Sequence, residues 1–116
     1  MTSEDVSSVW ILICRELGIR DLTGIEFFTG LIYLDCGGND LTALNLAMNT
    51  KLTTLIASGN PLKSLDVSGN PALCRAYQEG QKTENAENNS LRFTWNESVL
   101  LIDADTDIIT EPKQIE

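Results

Sequence analysis

The chain has no histidine. That removes the commonest general base, the commonest transition-metal ligand and the usual pH switch. Basic residues are scarce: eight Lys and Arg stand against 17 Asp and Glu, for a formal charge of -9. Nucleic acid and anionic membranes both need a basic surface, so neither is expected as a partner. Cysteine is sparse as well. Cys14, Cys36 and Cys74 are odd in number and widely spaced, forming neither a CxxC motif nor a dense disulfide framework. Long apolar runs are missing, and none approaches the roughly 20 residues needed to span a bilayer. Membrane insertion is therefore not expected. The opening MTSEDVSSVW is acidic and lacks the basic n-region of a signal peptide. Such a start fits an intracellular protein and a mature or trimmed chain equally.

What the chain does have is a repeat. Its 116 residues suit one domain, which at this size buries roughly 65% of its unfolded surface. A unit of 21 residues is written twice, as LIYLDCGGNDLTALNLAMNTK from Leu31 to Lys51 and LTTLIASGNPLKSLDVSGNPA from Leu52 to Ala72. Leu31, Leu34, Asn39, Leu41, Leu44 and Leu46 recur as Leu52, Leu55, Asn60, Leu62, Leu65 and Val67, and Asn49 recurs as Asn70. Self-similarity at this period is the signature of a solenoid.

Reading backwards, Val9, Leu12, Cys14, Ile19 and Leu22 match the same places in a first coil of 22 residues, 9–30. This coil carries Leu17 where the later ones carry asparagine, as befits a terminal repeat that also closes a stack. A fourth, partial coil is expected over 73–79, with the pattern failing at Gln78. The stretch 79–90 has almost no large apolar side chain and reads as a loop. Beyond it, Leu91, Phe93 and Trp95 alternate with polar residues, and Val99 to Ile102 is a second apolar run. A β-hairpin turning at Asn96-Glu97-Ser98 follows from that pattern, closing the open end of the stack. The domain plan is thus a tail or partial cap over 1–8, opened by a short helix at Thr2 or Ser3, then repeats over 9–79. A loop and hairpin cap cover 80–110, and a mobile tail 111–116.

The repeat reads LxxLx(C/A)xxNxLxxLx(L/V)xxN. Period-two segments around Leu34 and Leu55 form short strands, stacked in parallel about 4.8 Å apart. Cys14 and Cys36 take matching inward places where small residues suit. They are expected side by side in the core, since buried free cysteine behaves as a small hydrophobe. The asparagines sit where the chain turns, and an amide satisfies both donors and acceptors of a buried turn. Two ladders are expected, Asn39 with Asn60 and Asn49 with Asn70.

These residues resemble leucine-rich repeats. The first coil, with LGIRDLTGIEFFTGL from Leu17 to Leu31, is similar to the 22-residue type of internalins. The stretches LDCGGNDLTALNL and GNPLKSLDVSGNPAL resemble bacterial cell-surface proteins with asparagine-rich repeats of 21 residues. The resemblance implies a leucine-rich-repeat solenoid. Its form is a right-handed superhelix of about 3.5 coils with a short parallel β-sheet, closed by a C-terminal β-hairpin cap. It also implies a secreted or surface-attached bacterial protein.

In such a fold the residues flanking the inward positions line the concave face. Here they are Ile11, Ile13 and Arg15; Tyr33, Asp35 and Gly37; Thr54, Ile56 and Ser58; and Arg75, Tyr77 and Glu79. An apolar stripe of Ile11, Ile13, Tyr33, Ile56 and Tyr77, edged by Arg15, Asp35, Arg75 and Glu79, has the composition of a recognition patch. Two other accounts fit the same residues: terminal segments folded over the face, or β-propensity alone.

Asp103, Asp105 and Asp107 spell the opening of a calcium loop, but Ile108 and Gln114 replace its glycine and bidentate glutamate. A solvated acidic turn explains them better, and no metal or cofactor is expected. No nucleophile–base pair, GxSxG or phosphate-cradling loop is present, so catalysis is not expected. Three functions remain compatible with the residues. They are recognition of an unidentified protein, calcium-dependent or glycan adhesion, and a structural or self-associating spacer.

Overall fold

The computed structural model describes residues 6–111. The helix expected at Thr2 or Ser3, and the tail beyond Glu111, lie outside the described residues. Each repeat opens with a three-residue strand: β1 (Ile11–Ile13), β2 (Tyr33–Asp35) and β3 (Thr54–Ile56). They pair in parallel, with Leu12 beside Leu34 and Leu34 beside Leu55. The hydrogen-bonded register therefore equals the sequence repeat. Leu34 and Leu55 point inward and are fully buried, as are Leu31, Leu41 and Leu52 behind them. No single unit can enclose these leucines, so burial depends on the neighbouring unit. Cys14, Cys36 and Ala57 line the same core at the ends of the strands.

The corners are held by side-chain amides. Asn39 donates from Nδ2 to the carbonyls of Cys14 and Cys36, and its Oδ1 accepts from the Leu17 and Ile19 amides. Asn60 repeats this one unit later, donating to Cys36 and Ala57 and accepting from Leu41. On the opposite corner Asn49 donates to Ile25 and Phe28, and Asn70 donates to Leu46 and Asn49. In all four cases the amide reaches back to the unit before its own. The first unit turns through a 3-10 segment, Ile25–Phe27, with Phe28 at the place of Asn49.

The third repeat adds β4 (Ser64–Asp66), and then the pattern departs from expectation. Residues 73–79 do not begin a fourth coil. They belong to helix α1 (Pro71–Glu79), which starts at Asn70 with proline in its first position. Proline there sacrifices no helical hydrogen bond and presets the backbone angle. Leu73 and Ala76, three apart, turn inward together.

The stretch 79–90 is likewise not a loop throughout, because Gln81–Asn85 forms strand β5. Both of its faces are exposed, so it lacks the apolar alternation by which strands are recognised. It is held by antiparallel pairing with β6 (Ser90–Trp95).

Strand β7 (Ser98–Asp103) completes the hairpin with β6 and also pairs in parallel with β3, Leu55 beside Leu100. Strand β8 (Asp107–Ile109) then pairs in parallel with β4, placing Ile108 beside Leu65. The chain from 98 to 109 thus pairs through β7 and β8 with both strands of the third repeat, where the fourth coil was expected. Six strands form one sheet in the order β1-β2-β3-β7-β6-β5, and β4-β8 form a second. Helix α1 packs against the inner face of β6 and β7 through Tyr77 on Phe93.

Candidate interaction face

Register determines what the outer face of the large sheet displays. Side chains of paired residues share a face, so the non-core positions form rows across the strands. One row runs Ile11, Tyr33, Thr54, Val99, Thr94 and Gln81; the next runs Ile13, Asp35, Ile56, Leu101, Arg92 and Thr83. The first three members of each row follow from the sequence. Val99, Leu101, Thr94 and Arg92 were missed, because the face was expected to end at a partial fourth coil over 73–79. Recognising Leu100 as the counterpart of Leu55 would have placed Val99 and Leu101 on it.

The two isoleucines of β1 are the most open part of this face, with Ile11 60% and Ile13 63% exposed. Tyr33, Thr54, Ile56, Val99 and Leu101 are half-buried by their neighbours on the sheet. Large apolar side chains left in water forgo about 25 cal/mol per Å² on burial. A face carrying several of them favours a covering surface.

Asp35 is not a rim charge as expected. It is buried, accepting from Arg15 Nη1 at 3.0 Å and from the Gly37 amide at 3.1 Å. The bond to Asp35 raises the Arg15 pKa further, so the guanidinium stays charged. Arg15 itself remains exposed at the edge of the stripe.

Arg75, Tyr77 and Glu79 do not line this face. They lie on α1, on the other side of the sheet, where Arg75 pairs with Glu79 at 3.3 Å and sits over the Trp95 ring at 5.9 Å. The reason is local. Asn70-Pro71 favours a helix start, and the helix turns these residues through a spiral instead of alternating them across a strand.

The acidic motif has a structural use. Asp103 accepts from the Gly59 and Asn60 amides at 2.9 and 3.2 Å, closing the corner above the third repeat. Asp105 accepts from Asn89, while Asp107 lies in β8. Among the described residues no group of three or more acidic, Cys or His side chains gathers as a metal site. Burial pushes the Cys36 thiol up to about 12, helped by neighbouring Cys14 and Asp35. Such a thiol is protonated and inert near neutral pH.

A stretch of 50 residues is 41% identical to Internalin J of Listeria monocytogenes serotype 4b (strain F2365). The match covers 43% of this chain and 6% of that protein. No family model matches the chain. No solved structure matches it either. The chain is thus similar in part to an internalin, over a small share of that protein's length.

Proposed function

We propose that the chain is a leucine-rich-repeat solenoid, a right-handed superhelix serving as a non-catalytic protein-recognition module of a secreted or surface-attached bacterial protein. Its partner docks on the outer face of the six-stranded sheet. The observation that carries this reading is the apolar stripe of Ile11, Ile13, Tyr33, Ile56, Val99 and Leu101, aligned by strand register, open at its two isoleucines and half-buried beyond them. Solvated strand faces are ordinarily polar, and apolar ones of this kind mark interaction sites. The partial likeness to an internalin favours a bacterial surface setting. Arg15 and Arg92 flank the stripe as a polar rim, the arrangement common at protein interfaces.

The test is affinity capture from host and neighbouring-cell extracts with the immobilised chain and with Tyr33→Asp and Ile56→Asp forms. The captured protein is expected to disappear with both substitutions while the melting temperature shifts by only a few degrees, about 1 kcal/mol or less. Capture that survives both changes overturns the reading, as does capture lost only because the variants unfold. Binding to a glycan array in place of protein moves the site to carbohydrate recognition.

A further inference from the structure

The two ends of the large sheet are built differently. Strand β5 is an edge of charged and polar residues, Lys82 and Glu84 among them, all exposed. Charges of this kind discourage another strand from pairing. Strand β1, the opposite edge, lies within an uncharged run, Val9 to Cys14. The Cys14 amide donates to the Asp35 carbonyl and the Trp10 carbonyl accepts from the Tyr33 amide, so even-numbered residues serve the ladder with β2. Alternation along a strand then turns the N–H and C=O groups of Ile11 and Ile13 to the free edge, where none of the described strands pairs with them.

A further repeat of the same kind does not suit this edge. Every corner asparagine reaches back to the unit before it, and the first unit has none to offer. Leu17 and Phe28 stand at the two places, and Leu17 is 68% exposed.

We propose that β1 pairs with β1 of a second copy of this chain, antiparallel about a two-fold axis through Leu12. Ile11 then faces Ile13 of the second copy, and each such pair exchanges two N–H···O bonds. The match is self-complementary, as a two-fold interface must be. The four isoleucines meet on the outer face, joining two apolar stripes into one across a sheet of doubled width. Charge favours this edge over the other. Residues 73–116 hold nine acidic and four basic side chains, whereas 9–72 hold six and four. Joining at β1 keeps the acidic ends far apart; joining at β5 would bring them together. The pairing does not depend on what the face binds.

The test is light scattering of the intact chain over a concentration series, with amide hydrogen exchange at low and high concentration. The mass is expected to rise from 12.8 kDa to twice that value, with the Ile11 and Ile13 amides gaining protection only in the dimer. Ile11→Lys and Ile13→Lys, both at exposed positions, each return the mass to the monomer with an unchanged melting temperature. Ile56→Lys, in mid-sheet, leaves the dimer intact. A chain that stays monomeric, a dimer lost with Ile56→Lys but kept with Ile11→Lys, or Ile11 and Ile13 amides indifferent to concentration overturns the proposal.

Discussion

Leu100 lies beside Leu55 in parallel register, and both side chains are fully buried. Through this pair a strand of the C-terminal hairpin continues the ladder of the repeats. The hairpin is therefore not a lid resting on a finished stack but part of the stack. Replacing Leu100 with Ala is expected to cost about 2–5 kcal/mol, as for other buried leucines. Trp10 before β1 and Trp95 in β6 report opposite ends of the sheet. Single-tryptophan forms should give coincident urea transitions, shifted together by Leu100→Ala. Separate transitions would mean that the hairpin folds on its own.

The two asparagine ladders should differ in strength. Asn60 uses both ends of its amide, while the Oδ1 atoms of Asn49 and Asn70 are buried without a partner. Asn60→Ala strands the Leu41 amide and the Ala57 carbonyl in the core, at about 1–3 kcal/mol for each group left unpaired, while the Cys36 carbonyl keeps its bond from Asn39. Asn49→Ala leaves the Ile25 and Phe28 carbonyls their bonds from the Phe28 and Leu31 amides, and it removes an unsatisfied oxygen. Urea denaturation should rank Asn60→Ala as the more damaging change. Equal losses would show that the Asn49 amide contributes as much as that of Asn60, against this ranking.

Glycine matters at the stacked corners. Gly59 has φ +76, and a Cβ there would lie 3.1 Å from the Gly38 nitrogen and 3.2 Å from its Cα. Gly18 has φ +69 with nothing within 4 Å. Gly18→Ala should cost about 1–2 kcal/mol for the left-handed backbone alone. Gly59→Ala adds a backbone clash and should cost clearly more. Paired thermal melts of the two variants check the order.

Alkaline pH should destabilise the protein through Cys36. In the unfolded chain its thiol ionises near 9.0, whereas in the folded core it holds its proton to about 12. The unfolded state gives up its proton first, so stability is undiminished below pH 9 and falls as pH rises from 9 to 12. The urea midpoint should drop between about pH 7 and about pH 10.5, and Cys36→Ala should flatten that drop. An equal drop in the variant would assign it to other groups. Half-buried Cys74 should react with thiol reagents well before Cys36.

Position within the stack was readable wherever one residue type recurred at a fixed interval. Leucines at matching places, small residues at Cys14, Cys36 and Ala57, and asparagines at the corners each state a local requirement, so the strand register of β1, β2 and β3 follows from counting. Ile11, Ile13, Tyr33, Thr54 and Ile56 could be placed on the outer face for the same reason. Arg75, Tyr77 and Glu79 could not, because Asn70-Pro71 redirects the chain into a helix where the repeat by itself suggested a strand.

The sequence by itself determined the period, the inward leucines and the corner amides, because each is enforced by contacts one repeat away. Only the tertiary structure decided what closes the stack. Leu100 and Ile108 join Leu55 and Leu65 across more than 40 residues. Asp103 serves the Gly59 and Asn60 amides over a similar span. No periodicity links these partners. They meet because an open stack leaves apolar side chains and backbone groups unpaired, and the distant segment from 98 to 109 carries the strands and the carboxylate that pair them.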